Sequence, residues 1–197
     1  MPTITIEPAT AERFDDAQHA LTGGGDGSSC QCAWWTITNA DFQRTTRDQK
    51  KALLHDEMDV APPPALIAYV DGEAAGWIRV GPRTRQQRLA RTKEFIAYSE
   101  EPWEDGDVWA VTCFVVRREH RGEGLSARLL DAAIDFSRSN GARLLEGYPT
   151  EPIDASGKKR SSNSLFRGVV STFENAGFHE VARPKPDRAI VALDLTA

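Results

Sequence analysis

The sequence predicts an α/β fold on a mixed sheet, from three observations. Residues 111–116 are a short apolar, β-branched and aromatic run, too short for a helix and too dry for a loop, and so read as a buried strand. A polar, Gly-containing turn follows, and then Leu125, Leu129, Leu130, Ala133, Ile134 and Phe136 recur at helical spacing until Asn140-Gly141 stops the helix. Strand and helix patterns alternate elsewhere too, in the order β, α, α, three strands, α, β, α, two strands.

In chain order, residues 3–6 alternate polar and apolar as a first strand, and residues 11–21 form a helix with Phe14, Ala17 and Leu21 inward. Residues 23–29 are too Gly-rich for regular structure. Residues 46–58 read as a helix that must end before Pro62-Pro63-Pro64. Residues 65–70 and 74–80 are strands joined by the turn Asp71-Gly72-Glu73. Residues 81–99 form a basic excursion, and Glu100, Glu101, Glu104, Asp105 and Asp107 an acidic cluster around Trp103, just before the central strand. After the central unit come a strand at 142–148, a polar loop, a helix at 164–176 stopped by Gly177, and an antiparallel pair at 178–182 and 189–195.

At 197 residues and 40% hydrophobic content, the chain is expected to fold as one domain, 1–197. A net charge of −5 argues against nucleic acid as the main partner. Three cysteines, an odd number, fit a reducing cytosol better than a disulfide framework. No apolar run approaches the ~20 residues that span a bilayer, and residues 1–10 lack the features of a signal peptide. The expectation is a soluble cytoplasmic protein with no membrane partner.

The turn after the central strand has the makings of an anion site. A helix start leaves N–H groups without intrahelical partners and carries the positive end of the helix dipole. Gly122 and Gly124 let a phosphate approach the main chain, while Arg117, Arg118 and Arg121 add positive charge. The stretch is not a Walker A loop, because no Gly-Lys-Ser/Thr follows, nor a dinucleotide fingerprint, because the third glycine is missing.

Arg121, Gly124 and Ser126 resemble the pyrophosphate loop of the GNAT acyltransferase superfamily, the GCN5-related N-acetyltransferases, which reads Gln/Arg-x-x-Gly-x-Gly/Ala. Ser126 departs from that pattern but is small. About fifty residues on, Phe173-Glu174-Asn175-Ala176-Gly177-Phe178 resembles the family's Tyr-Glu-x-x-Gly-Phe signature. The resemblance implies a mostly antiparallel central sheet flanked by helices, with splayed central strands. It also implies transfer of an acetyl group from acetyl-CoA to a primary amine of a small molecule, protein or peptide, by direct attack in a ternary complex. The expected partners are acetyl-CoA and an unidentified amine acceptor, with a homodimer admitted.

By that resemblance the backbone of Cys113, Phe114, Val115 and Val116 would pair with the pantetheine amides. The pyrophosphate would fall on the N–H groups of Arg121, Gly122, Glu123, Gly124, Leu125 and Ser126. A free lysine-type amine, with a pKa near ~10.4, must lose a proton before it attacks. Glu146 is the first choice of acceptor, because a carboxylate inside the apolar strand 144–148 is costly unless it is paired or used; an Arg-paired structural role is the alternative. Asp107, Glu104, His120 or a held water are further choices. Phe173 stands where many members place a Tyr that protonates the leaving thiolate, so water, Ser171, Thr172 or Tyr148 would have to substitute. That departure also supports another reading, a catalytically silent acyl-CoA-binding sensor or regulatory module.

Cys30-Gln31-Cys32-Ala33-Trp34-Trp35 is the least ordinary segment of the chain. Two cysteines with no second Cys or His pair make a poor zinc site, so no metal is expected, and both read as small apolar fillers. Some small bacterial members of the family carry a similar Cys-x-Cys-x-x-Trp segment where the acceptor enters, which would make Trp34 or Trp35 a pocket wall. The acidic cluster and net charge favour a cationic acceptor.

Overall fold

The structure is a computed structural model that describes residues 2–196. Its strands are β1 (Ile4–Pro8), β2 (Ala65–Val70), β3 (Glu73–Pro82), β4 (Val108–Val116), β5 (Leu144–Gly147), β6 (His179–Lys185) and β7 (Arg188–Asp194). They form one sheet in the order β1-β2-β3-β4-β5-β7-β6. Every neighbouring pair is antiparallel except β4 and β5. The sheet is therefore mixed and mostly antiparallel, as expected.

Helices cover both faces. α6 (Leu125–Ser139) turns Leu125, Leu129, Leu130, Ala133 and Ile134 into the core on one face, the set its 3.6-residue periodicity selects, and α7 (Val170–Asn175) adds Val170 and Phe173. On the other face, α1 (Phe14–Thr22) buries Ala17, Ala20 and Leu21, and α4 (Arg47–Met58) buries Leu54 and Met58 beneath Trp35 and Trp77. The start of α4 is fixed by a capping box, in which Gln49 N–H donates to Thr46 Oγ1 at 3.3 Å and Thr46 N–H donates to Gln49 Oε1 at 2.8 Å. Three short helices, α2 (Gly27–Cys30), α3 (Asn39–Arg44) and α5 (Lys93–Tyr98), lie in the connections. Among the described residues no helix is long and apolar enough to cross a membrane.

β4 and β5 pair only from Val108↔Leu144 to Val111↔Gly147 and then part. Past that point the segment 162–169 lies along the open edge of β4, with Phe114 N–H donating to the Phe166 carbonyl at 2.6 Å. The expected helix at 164–176 is for that reason confined to 170–175. Gly168 has φ +85°, which ends any helical run, and the Phe166 carbonyl is turned outward onto β4. Residues 23–29 are also more regular than expected, since 27–30 make one helical turn. The closing hairpin is longer than expected, with only Pro186 and Asp187 between its strands.

Candidate functional site

The parting of β4 from β5 opens a cavity of about 730 Å³. Its floor is the free half of β4, Cys113, Phe114, Val115 and Val116. One end is bounded by the Gly-rich segment 24–27 with Arg121 and Ser126, the other by Trp34, Trp35, Phe42, Phe166 and Arg167. Segments far apart in sequence thus meet because a parallel pair inside an otherwise antiparallel sheet is cut short.

At the first end, a turn with Gly122 at φ +83° and Gly124 at φ +76° feeds α6. No protein atom lies within 4 Å of where a Cβ would stand on either glycine, so the left-handed backbone is what requires them. The N–H groups of residues 122–126 have no hydrogen-bond acceptor among the described residues, an arrangement that suits an anion. Arg121 is partly engaged already. Its Nε donates to the Val116 carbonyl at 3.1 Å and its Nη1 to Ser162 Oγ at 3.1 Å, which ties the turn to both edges of the opening. Leu125 points into the core rather than the cavity, and the exposed Glu123 lies 3.7 Å from His120; either residue offers only its backbone.

At the other end, both tryptophans are walls. Gln31 and Cys32 both adopt left-handed φ, 51° and 54°, and swing the turn Ala33–Trp35 over the sheet. Arg88 clamps that turn, with its guanidinium 3.6 Å over the Trp34 ring and its backbone N–H donating to the Trp35 carbonyl at 3.1 Å. Phe42 meets Trp34 edge-on at 5.1 Å, and Phe166 faces Trp35 at 6.3 Å.

The expected proton-transfer residues stand elsewhere. Glu146 is buried and is held by Arg83, whose Nη1 lies 3.0 Å from each carboxylate oxygen, while the Tyr148 hydroxyl donates to Oε2 at 2.6 Å. Burial, together with the Glu146 charge, drives the Tyr148 pKa well above its ordinary value, so the hydroxyl keeps its proton. Neither side chain lines the cavity, and the Arg-paired role that the sequence left open for Glu146 describes its contacts. Asp107 is exposed at the start of β4, six residues or roughly 20 Å along the strand from Cys113. The acidic cluster does not face the cavity either. Glu101 and Asp105 pair with Arg143, and the carbonyls of Glu101 and Pro102 receive Arg83. Phe173 is fully buried, edge-on to Phe114 and Phe178.

The three free cysteines gather beside the cavity. A hydrogen bond from the Cys113 thiol lowers the Cys32 pKa against the effect of burial and raises that of Cys113, while burial pushes Cys30 up to about 11. Among the described residues no group of three or more His, Cys, Asp or Glu side chains is placed to hold a metal ion. Arg167, which no sequence feature singled out, is the charged residue that lines the tryptophan end, and one arginine within a stretch read as helix carries no motif by which it could have been found.

The model of the Acetyltransferase (GNAT) family matches residues 31–151. No curated protein sequence matches the chain. Among solved structures, an N-acetyltransferase from Staphylococcus aureus Mu50 is 17% identical with a TM-score of 0.56, the match covering 98% of this chain and 99% of that one. The yncA protein of Salmonella typhimurium, solved with its cofactor acetyl-CoA, is 18% identical with a TM-score of 0.54, covering 98% and 94%. The paia N-acetyltransferase of Thermoplasma acidophilum, in complex with coenzyme A, is 13% identical with a TM-score of 0.54, covering 98% and 99%. At these identities the likeness is one of fold.

Proposed function

The chain belongs to the GNAT acetyltransferase family, and from that premise we propose that it moves an acetyl group from acetyl-CoA to a primary amine, both held in the one cavity. The observation that carries this reading is the shared cavity itself. The free half of β4, with Arg121 and Ser126 from the turn, bounds it on one side, and the tryptophan walls bound it on the other. The acyl donor would lie with its diphosphate on the unpartnered N–H groups of 122–126 and its pantetheine along 113–116, where the Phe114 N–H is already held by the Phe166 carbonyl. It supplies the activated acyl group as a thioester. The amine nitrogen attacks the thioester carbonyl carbon, an N–C bond forms, the C–S bond breaks, and the sulfur leaves as a thiolate while the nitrogen loses a proton.

The lining residues include one carboxylate, Asp26 in the Gly-rich segment, and no Glu or His. With Glu146 locked by Arg83, the acceptor's proton is lost to water, and it is the neutral fraction of the amine that reacts. A thiol with a pKa near ~8.5 leaves without a protein acid, which fits a phenylalanine at position 173. The test is thiol release from acetyl-CoA with a panel of primary amines across pH 6–10. The logarithm of kcat/KM should rise with unit slope up to the pKa of each amine, moving with the amine chosen. An inflection fixed at one pH for all amines would reinstate an enzyme base. No release above hydrolysis, with thermal stabilisation by CoA, would favour the second reading, a silent acyl-CoA-binding module, for which Phe173 is the specific observation.

A further inference from the structure

Arg167 is the unresolved charge of the cavity. Its guanidinium lies 5.6 Å from the Trp35 ring, 5.6 Å from Phe95 and 5.5 Å from Phe166, among aromatic faces and without a hydrogen bond or ion pair among the described residues. Two deeper arginines are matched: Arg83 is held by Glu146 and three further oxygens, and Arg79 by Glu57. The carboxylate that acts on Arg167, Glu94, is already taken by Lys185 and Arg188. Burial, with Arg188 adding repulsion, lowers the Arg167 pKa to about 10, still well above neutrality, so the side chain remains a cation at physiological pH. A half-buried guanidinium without a protein partner is costly, and its planar fork of donors fits a carboxylate.

Position says which bound molecule would supply that anion. The segment carrying Arg167 runs from Ser162, tied to Arg121 at the diphosphate end, past Phe166 on Phe114, to Gly168, whose carbonyl accepts Thr150 N–H at 3.1 Å beyond the end of β5. Arg167 is thus displaced toward the tryptophan end, where the acceptor would sit, and the diphosphate end has its own arginine. The walls there are aromatic. We propose that the acceptor is an amine that also carries a carboxylate, an apolar or aromatic amino acid, with Arg167 binding the carboxylate and Trp34, Trp35 and Phe42 enclosing the side chain. This rests on the transferase reading above, and it replaces the cationic acceptor that the sequence charge suggested, since Glu101 and Asp105 of the acidic cluster pair with Arg143 and no member of the cluster lines the cavity.

The experiment compares L-phenylalanine, L-phenylalaninamide and phenethylamine as acceptors for the full chain and for Arg167→Met and Arg167→Lys. For the wild type, kcat/KM should be at least tenfold higher for phenylalanine than for either uncharged analogue, compared at equal concentrations of neutral amine. Arg167→Met should erase that preference by raising KM for phenylalanine, with KM for acetyl-CoA unchanged, and Arg167→Lys should restore part of it. Equal use of the three amines by the wild type would overturn the proposal, as would an Arg167→Met enzyme whose acetyl-CoA KM rises instead, which would assign the guanidinium to the donor. Calorimetric titration of N-acetyl-L-phenylalanine and N-acetylphenethylamine into protein saturated with CoA decides the point without turnover. Tighter binding of the acid, lost in Arg167→Met, supports the proposal even if no amine is acetylated, whereas indifference to the carboxylate sinks it even if transfer is found.

Discussion

Arg83 and Arg167 are linked through a tilted aromatic pair, Tyr148 and Phe95, whose rings are 4.4 Å apart: Tyr148 shares Glu146 with Arg83, and Arg167 lies 5.6 Å from the Phe95 ring. Arg83 is wrapped by Glu146, Ser99 Oγ and the carbonyls of Glu101 and Pro102, with the Trp103 ring 4.1 Å away. Arg167 has aromatic rings 5.5–5.6 Å away and no hydrogen bond or ion pair among the described residues. One region is a closed polar network, complete within the chain; the other is open on the side of the cavity. A buried charge whose partners come from its own chain serves the fold, and one left without partners beside a cavity is poised for something that arrives. The contrast takes the Arg-paired side of the alternative that the sequence leaves open for Glu146, and it singles out position 167, which the sequence reads only as part of a helix.

The contrast breaks most readily at Glu146. Glu146→Ala removes the carboxylate and leaves Arg83 buried with an uncompensated charge, for which the expected loss is about 3–5 kcal/mol of folding stability in urea or guanidinium unfolding. If the protein instead kept its stability and lost turnover, Glu146 would be chemical after all. Next in size is Gly168→Ala. Its Cβ would sit 2.8 Å from Phe173 Cε2 and 2.9 Å from Phe114 Cε2, on a residue with φ +85°, so overpacking and backbone strain together should cost about 1–3 kcal/mol. The loss should be accompanied by a raised acceptor KM, because Gly168 sets the path of the neighbouring Arg167.

A smaller effect per group comes from acid. Hydrogen bonds from Arg143 hold Asp105 below its ordinary pKa, and Lys185 with Arg188 does the same for Glu94. At Asp187, burial works upward, and the Arg160 ion pair overrides it. Each depressed pKa contributes stability that is complete above the unfolded-state values, near ~4, and is lost as pH falls through the folded ones. Unfolding free energy should therefore be nearly level from pH 7 to about 5 and fall below about 4. A decline that begins nearer neutrality would shift the weight from these carboxylates to histidine.

Most of the architecture was legible because it rests on backbone and periodicity. The free N–H groups after Gly122 and Gly124 need only a Gly-containing turn between an apolar strand and an amphipathic helix, and each of those leaves a local pattern. Trp34 and Trp35 were legible by resemblance, and both line the cavity. What the sequence left open or missed depended on pairings between distant residues. Arg83 lies 63 positions from Glu146, and no periodicity announces that the one holds the other. The helix expected at 164–176 failed for the same reason, since Phe166 answers to Phe114 across the slot rather than to its own neighbours.

The smallest expected change is the most discriminating. Arg167→Met keeps an unbranched side chain of similar length among the rings of Trp35, Phe95 and Phe166 and removes a cation that no protein group satisfies. Replacing poorly compensated buried charge with apolar volume is often neutral or stabilising, so the variant should match the wild type within about 1 kcal/mol or exceed it. The same substitution at Arg83 would strand Glu146 and should cost several times more, by the argument that applies to Glu146→Ala. Denaturant midpoints of Arg167→Met and Arg83→Met, compared at equal m-value, therefore separate a guanidinium kept for a ligand from one kept for the fold. Equal losses at the two positions would mean that Arg167 is structural and that the open side of its environment carries no functional meaning.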